Sequence, residues 1–337
     1  MDESEGWIRS SPKRAVVDRE VAGMRLDRYV RQMLPGVPGP AIQRLLRTGQ
    51  VRVNGGRVKG GRRLLEGDEV RLPPAMVLVD PGNPPLPDSL IDELRGRILY
   101  RDAAVLLLDK PAGMAVHGGS GRPWGVVDGV RALWRREGLA GEPQLAHRLD
   151  QGTSGALLFG LTPSAVRRLA ADFASGRVEK RYLALVRGAP ADSGRIDQGL
   201  IKGATRAGER VVVAGHGQEA DTGYRVVARF EGASLLVVTP GSGRTHQIRV
   251  HLQWLGHPLA GDDKYGDHRF NRQMARLGLA RMFLHAACLN CTHPESGERL
   301  RLTAPLEVSL RHFLEGWAGP LAVEPLRRLS RECDREA

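Results

Sequence analysis

Apolar residues set two periods along the chain. From Arg25 they recur every three to four positions, with Leu26, Tyr29, Val30 and Met33 or Leu34 on one side, which predicts a helix. The PGVPGP segment at 35–40 breaks it, and Ile42, Leu45 and Leu46 mark a second short helix with Gly49 as its C-terminal cap. The period then falls to two. Residues 51–54 and 68–72 read as short strands around the turn NGGRVKGG. Residues 73–87 are rich in proline and lack a period, as a semi-rigid linker would. Beyond them, strand patterns at 104–108, 156–161, 182–187, 222–230, 234–239 and 283–289 are interspersed with helix patterns at 126–136, 163–174 and 245–255.

Strands that follow one another through short turns favour a mixed or antiparallel sheet over a doubly wound one, so the expected class is α+β. The expected organisation is a polar tail over 1–20, a small domain over 21–75, a linker over 76–97, a larger domain over 98–318 and a basic tail over 319–337. A length of 337 residues suits two domains. No apolar run nears the ~18–20 residues of a membrane span, and the opening MDESEGWIRS lacks the basic-then-apolar order of a secretory signal. Three cysteines (Cys288, Cys291, Cys333) make no disulfide framework and suit a reducing cytoplasm.

Charge narrows the class of partner. Lys and Arg number 50 against 38 Asp and Glu, a formal +12 that points to a polyanion, nucleic acid first. Between Gly23 and Pro73 basic residues outnumber acidic ones by eleven to four. There Arg44, Arg47, Arg52, Arg57 and Lys59 are the candidates for phosphate contacts, which give affinity without sequence choice.

Three segments invite chemistry. HRLDQGTSG (147–155) sets Asp150 on a tight turn at a strand entrance, where it either presents a carboxylate for chemistry or closes an Asx-turn. GSGRTHQIRVH (241–251) does not fit a Walker loop, since its glycine spacing is wrong and Arg244 stands in the lysine position. It is either a helix start whose amides and Arg244 form an anion pocket, or a glycine-rich turn with a structural arginine. HAACLNCTH (285–293) suggests zinc, but a strand would put Cys288 and Cys291 on opposite faces and no second cysteine pair exists. No metal is expected there.

Taken together, HRLDQGTSG, KRYLALVRG (180–188), GRTHQIRVHL (243–252), FLHA (283–286) and DKPAGMAVHGG (109–119) resemble the signatures of RluA-type RNA pseudouridine synthases. Residues 23–73 resemble the S4 RNA-binding domain. The resemblance covers residues 20–315; Gly152 departs from it, standing where many members carry an acid. It implies an S4 domain followed by a catalytic domain with a mixed, mostly antiparallel sheet flanked by helices. The implied reaction is isomerisation of uridine to pseudouridine without cofactor or metal. The implied substrate is RNA, foremost several uridines of 23S ribosomal RNA, free or in a large-subunit assembly intermediate, bound by a cytoplasmic monomer. Asp150 matches the essential aspartate, Arg244 the arginine that pairs with it, and Tyr182 the aromatic beside the target base. Arg148 matches the residue that fills the space of a flipped nucleotide, with Ile248 and Leu284 as apolar walls and Lys110 and His147 as structural supports. Other readings are the same chemistry on other rRNA or tRNA uridines, a non-catalytic RNA-binding or ribosome-assembly factor, and a hydrolase pairing Asp150 with His147.

Overall fold

The computed structural model describes residues 7–9, 13–19, 21–34, 37, 39–74, 76–78, 86–118, 123–205 and 208–323. The chain divides into two compact units, residues 1–85 and 86–337.

The first unit runs β1 (Trp7–Arg9), β2 (Lys13–Val16), α1 (Leu26–Met33), α2 (Gly39–Arg47), β3 (Arg52–Val53), β4 (Glu69–Leu72) and β5 (Met76–Leu78). The apolar stripes of both helices close one core: Leu26, Val30 and Ile42 are buried there with Leu64, Val70 and Leu72. Antiparallel β2 and β3 flank β4, while β1 and β5 pair as a separate ribbon. Buried Asp68 ties the strands to the turn. It accepts from the Leu65 amide at 2.9 Å, Asn54 at 2.8 Å and Arg62 at 3.1 Å. The Leu65 amide first, then Asn54 and Arg62, outweigh burial and hold its carboxyl below the usual range.

Two sequence expectations change here, the tail over 1–20 and the start of the linker expected over 76–97, whose residues 76–78 form β5. The tail expected over 1–20 contains β1 and β2, and Val17 is in the core. A four-residue KRAV segment shows no period of its own and is a strand because β4 offers it a hydrogen-bonding edge. The rest of that tail (1–6, 10–12, 20), and residues 35, 36 and 38 of the helix-breaking segment, lie outside the described residues.

The second unit begins with α3 (Asp88–Gly96), inside the expected linker, followed by β6 (Ile98–Arg101), β7 (Val105–Lys110) and α4 (Val126–Arg136). Then come β8 (Gln144–Leu145), β9 (Ser154–Gly160), α5 (Pro163–Ala174), β10 (Glu179–Arg187) and β11 (Ser193–Asp197). The hairpin β12 (Leu200–Thr205) and β13 (Gly208–Val213) precedes β14 (Asp221–Phe230), β15 (Ala233–Pro240), α6 (Gln247–Trp254) and α7 (His268–Arg276). The unit ends with β16 (Leu284–Thr292), β17 (Arg299–Thr303), α8 (Val308–Ala318) and a 3-10 turn, Pro320–Val323. α3 belongs to this unit because buried Leu94 packs over Gly129 of α4, where an added Cβ would come within 2.3 Å of it. Of the tail expected over 319–337, residues 320–323 form the turn, with Ala322 buried, and 324–337 lie outside the described residues.

A ten-stranded sheet in the order β11-β14-β15-β10-β16-β9-β7-β6 organises the unit, with β17 added to β16 and β8 to β9. Every pairing is antiparallel except β9 with β16. The sheet is covered on both faces, so β7 and β9 read as continuous apolar runs. Alternation along β10 sends Tyr182, Ala184 and Val186 to one core layer and Leu183 and Leu185 to the other. Cys291 lies in the first layer and Cys288 in the second, on opposite faces as their spacing requires.

The parallel pairing brings the entrance of β9, just after Asp150, against the start of β16. Gly155 makes the approach possible: its φ is 106°, and a Cβ there would lie 2.2 Å from the Ala286 carbonyl oxygen. Gly155→Ala should therefore lower unfolding stability by about 3 kcal/mol or more, read by denaturant titration. A loss under about 1 kcal/mol would show that the two strands can separate without cost.

Candidate active site

Four of the five segments quoted above, all but DKPAGMAVHGG, meet at one cavity of about 420 Å³, lined by residues 146–150, Tyr182, residues 240–249 and Leu284 among others. That volume is within the ~300–1,000 Å³ usual for small-ligand sites. Asp150 sits in its wall on the loop ahead of β9, with a side chain 17% exposed.

Several groups fix that loop. Lys110, fully buried at the end of β7, donates to the carbonyls of Pro111 (2.7 Å), Met114 (2.8 Å) and Gln151 (3.2 Å). Burial pulls its pKa down to about 7, whereas three carbonyl acceptors use all the N–H bonds of the ammonium form. Arg281 donates to the Gly152 and Leu284 carbonyls, to Ser154 Oγ at 3.0 Å and to Glu307 at 2.7 Å. His285 Nε2 faces the Ala304 carbonyl, which can only accept, so Nδ1 accepts from Ser154 Oγ at 2.9 Å. The site loop is thereby braced from β7, β16 and the segments around them.

The partner of Asp150 is Arg249, not the expected Arg244. Arg249 Nη1 lies 3.1 Å from Asp150 Oδ2, and the same guanidinium grips Asp262 through two bonds of 2.7 and 2.8 Å. Asp262 in turn accepts from the amides of Lys264 and Tyr265. Burial alone would favour neutral groups. The Arg249 bonds and those two amides outweigh it and hold Asp262 below the ordinary carboxylate range, while Asp262 and Asp150 raise Arg249 above the ordinary one. Arg244 is exposed at the rim, with Nε donating to the Glu219 carbonyl at 3.3 Å. The helix begins two residues later than expected, at Gln247, and its first turn carries Arg249 inward. Gln247 itself accepts from the Arg244 amide and Ser242 and donates to the Asp221 carbonyl, closing the glycine-rich turn with its own side chain.

The other expected site residues fall as follows. Tyr182 is 8% exposed and lines the cavity with Ile248 and Leu284. Burial first, and then the charge of Asp150, push its phenol above the usual range, so it is a neutral hydroxyl. Arg148 is exposed at the cavity edge. His147 accepts from the Leu158 amide at 3.1 Å and stacks on Phe173, and burial depresses its pKa to about 3. That geometry makes it a support and leaves the hydrolase pairing with Asp150 without a base. In the first unit Arg44, Arg47 and Lys59 are exposed, while Arg52 and Arg57 donate to the carbonyls of Gly55 and Thr48 and brace the turn.

Asp262, His246 and Tyr265 were not singled out from the sequence. His246, with φ 56°, places Nε2 at 3.9 Å from Asp150, and its Nδ1 meets the Tyr265 hydroxyl at 2.8 Å. Arg249 is the one arginine in an apolar helical run, and a buried guanidinium requires carboxylates. The GDDKYGD segment, 261–267, was the place to look for them.

A sheet strung with these motifs, and a carboxylate clamped by an arginine beside a buried tyrosine, match the pseudouridine synthase class. The family models agree: residues 104–254 match RNA pseudouridylate synthase and residues 24–70 the S4 domain. The chain belongs to the RNA pseudouridylate synthase family. It is 42% identical to ribosomal large subunit pseudouridine synthase C of Haemophilus influenzae, over 93% of this chain and 97% of that protein. To the protein of the same name from Escherichia coli K12 it is 44% identical, over 90% and 96%. The solved structure of human RNA pseudouridylate synthase domain containing 4 superposes with a TM-score of 0.58 at 25% identity, covering 68% of this chain and 96% of that one.

Two outcomes follow. Asp262→Asn leaves Arg249 with half of its counter-charge, so it should cost about 3 kcal/mol of stability in a denaturant titration; an unchanged midpoint would mean that Asp150 alone suffices. The second concerns acid. His285 has its pKa lowered from 6.5 to about 4 by burial, so below pH 6.5 the unfolded chain takes up the proton first. Its contribution is complete above pH 6.5 and is lost as pH falls toward 4. His285→Gln should flatten the fall of unfolding free energy across that window; an unchanged slope would place the proton uptake elsewhere.

Proposed function

We propose that the chain converts uridines of large-subunit ribosomal RNA to pseudouridine, with Asp150 as the essential carboxylate. The observation that carries this is the position of Asp150, set in a nucleoside-sized cavity between the Arg249 clamp and Tyr182. The substrate class rests on relatives that match this chain nearly end to end and are named for the ribosomal large subunit. A ribosomal RNA substrate supports a cytoplasmic location. No helix among the described residues is long and apolar enough to cross a membrane.

In the reaction the N1–C1′ bond breaks, uracil turns over, and a C5–C1′ bond forms. C5 loses a proton and N1 gains one, so the product is an isomer and no redox partner or group donor enters. Asp150 acts at the sugar end of the breaking bond. Arg249, 3.1 Å away, holds its carboxylate in place, and Tyr182 offers a face for uracil and a neutral hydroxyl for proton transfer. The uridine must leave its stack, at a cost of a few kcal/mol, and Arg148 at the cavity edge is placed to fill the vacancy. Ile248 and Leu284 give the base an apolar wall. Arg44, Arg47, Arg52, Arg57 and Lys59 hold RNA by its phosphates, Arg44 and Arg47 from the exposed side of α2.

Carbodiimide-based mapping of a 23S transcript incubated with wild type and with Asp150→Asn tests the function. Discrete stops with wild type only are expected. Stops with both proteins would remove Asp150 from the chemistry, and none with wild type would shift the substrate to an assembling particle or another RNA, such as tRNA. For the RNA-binding unit, Arg44→Ala with Arg47→Ala should reduce the slope of log K against log salt by roughly one per lost phosphate contact. Modification of fully bound RNA should proceed at the wild-type rate. An unchanged slope would take α2 off the RNA.

A further inference from the structure

Beyond the Arg249 clamp, the cavity holds a hydrogen-bond relay with a fixed direction. Tyr265 is 1% exposed, and among the described residues its hydroxyl meets two polar groups. One is the backbone N–H of Val211 on β13, at 3.0 Å, which can only donate to it. The other is His246 Nδ1, at 2.8 Å. Having accepted from Val211, the phenol places its own hydrogen on Nδ1, because a buried hydroxyl hydrogen without an acceptor is costly. The imidazole proton is then on Nε2, which faces Asp150 Oδ2 across 3.9 Å.

That gap is too long for a direct hydrogen bond, and its length lets one oxygen bridge the two atoms at about 2.8 Å from each. The oxygen must accept from an N–H and donate to a carboxylate. A uracil carbonyl can do only the first; a hydroxyl does both, and a substrate hydroxyl can take the place of a bridging water. We propose that His246, held in its Nε2–H tautomer by Tyr265, binds the ribose 2′-hydroxyl of the target uridine together with Asp150. This rests on the pseudouridine synthase function above, which sets the sugar beside Asp150; the 2′-hydroxyl is the one nearest the glycosidic bond. It gives the site a means of telling ribose from deoxyribose at the nucleotide that reacts. Burial favours a neutral His246, with the nearby Asp150 charge opposing that and Arg249 and Lys264 reinforcing it, so the ring is a neutral donor. Tyr265 is a positioning residue that acts through His246. Because it also accepts from β13, the hairpin and the sugar site are linked by one hydroxyl.

The test uses full-length protein and two competitor RNAs, a 23S fragment spanning a mapped site and the same fragment with 2′-deoxyuridine at the target. Each is titrated as an inhibitor of modification of labelled RNA, and the deoxy-to-ribo ratio of inhibition constants is read. Wild type should give a ratio of about ten, the worth of one good hydrogen bond. His246→Asn, which tolerates the positive φ but ends short of Nε2, should bring the ratio near two, while His246→Gln, which reaches further, should keep most of it. A purely structural His246 would raise both constants and leave the ratio unchanged, which overturns the proposal. Nitrogen-15 NMR of the free protein supplies a second readout. The Nε2–H tautomer is expected in wild type, with Nδ1–H appearing in Tyr265→Phe; Nδ1–H in wild type would overturn the relay. Failure of the parent function shows separately, as wild type that modifies none of the labelled RNA, and it would overturn the sugar assignment too.

Discussion

The site depends on one buried guanidinium held between two carboxylates. Arg249 spends two of its N–H bonds on Asp262 and a third on Asp150. A charge taken out of water survives only when it is paired and hydrogen-bonded, and Asp262, with no exposed side-chain surface, supplies that pairing. Asp150 is the more exposed carboxylate and the one that faces the cavity. The division is functional: one aspartate anchors the arginine permanently, and the other receives a rigid, preorganised counter-charge. The Tyr265 ring below the guanidinium, 5.0 Å from it, adds an apolar floor that keeps its orientation.

The sheet exists in this arrangement to bring distant pieces of chain to that arginine. Asp150 precedes β9, Tyr182 lies on β10, Leu284 begins β16, and Arg249 sits in the first turn of α6. The β10–β16 register shifts beside Tyr182, a local irregularity where strands commonly re-aim a side chain toward a site. Lys110, Arg281 and His285 then bind the Asp150 loop by its backbone and by Ser154, so the carboxylate is placed by several independent anchors.

Much of this was legible in the sequence, and for identifiable reasons. The helices at 126–136 and 163–174 have a clear apolar stripe and appear with those bounds. The long buried strands were visible as apolar runs. Short or charged elements were not: β2 is a strand only through β4, and α3 looked like linker because its apolar residues matter only against α4. Asp150, Tyr182, Ile248 and Leu284 came to one cavity because motif order survives folding, whereas the arginine was misassigned. Arg244 and Arg249 are five residues apart around the start of a helix, and which one points inward depends on where that helix begins. A start at Gln247, preceded by a left-handed His246, decides it, and no sequence period encodes that turn.

The central claim is that Arg249, and not Arg244, governs the reactivity of Asp150. Single-turnover modification of 23S RNA at saturating protein, compared for Arg249→Ala and Arg244→Ala, tests it most directly. Arg249→Ala should slow the chemical step by about a hundredfold or more, as loss of a charge partner in a partly buried site should. Arg244→Ala should react at the wild-type rate once RNA is bound. A slow Arg244 variant beside a fast Arg249 variant would contradict the account.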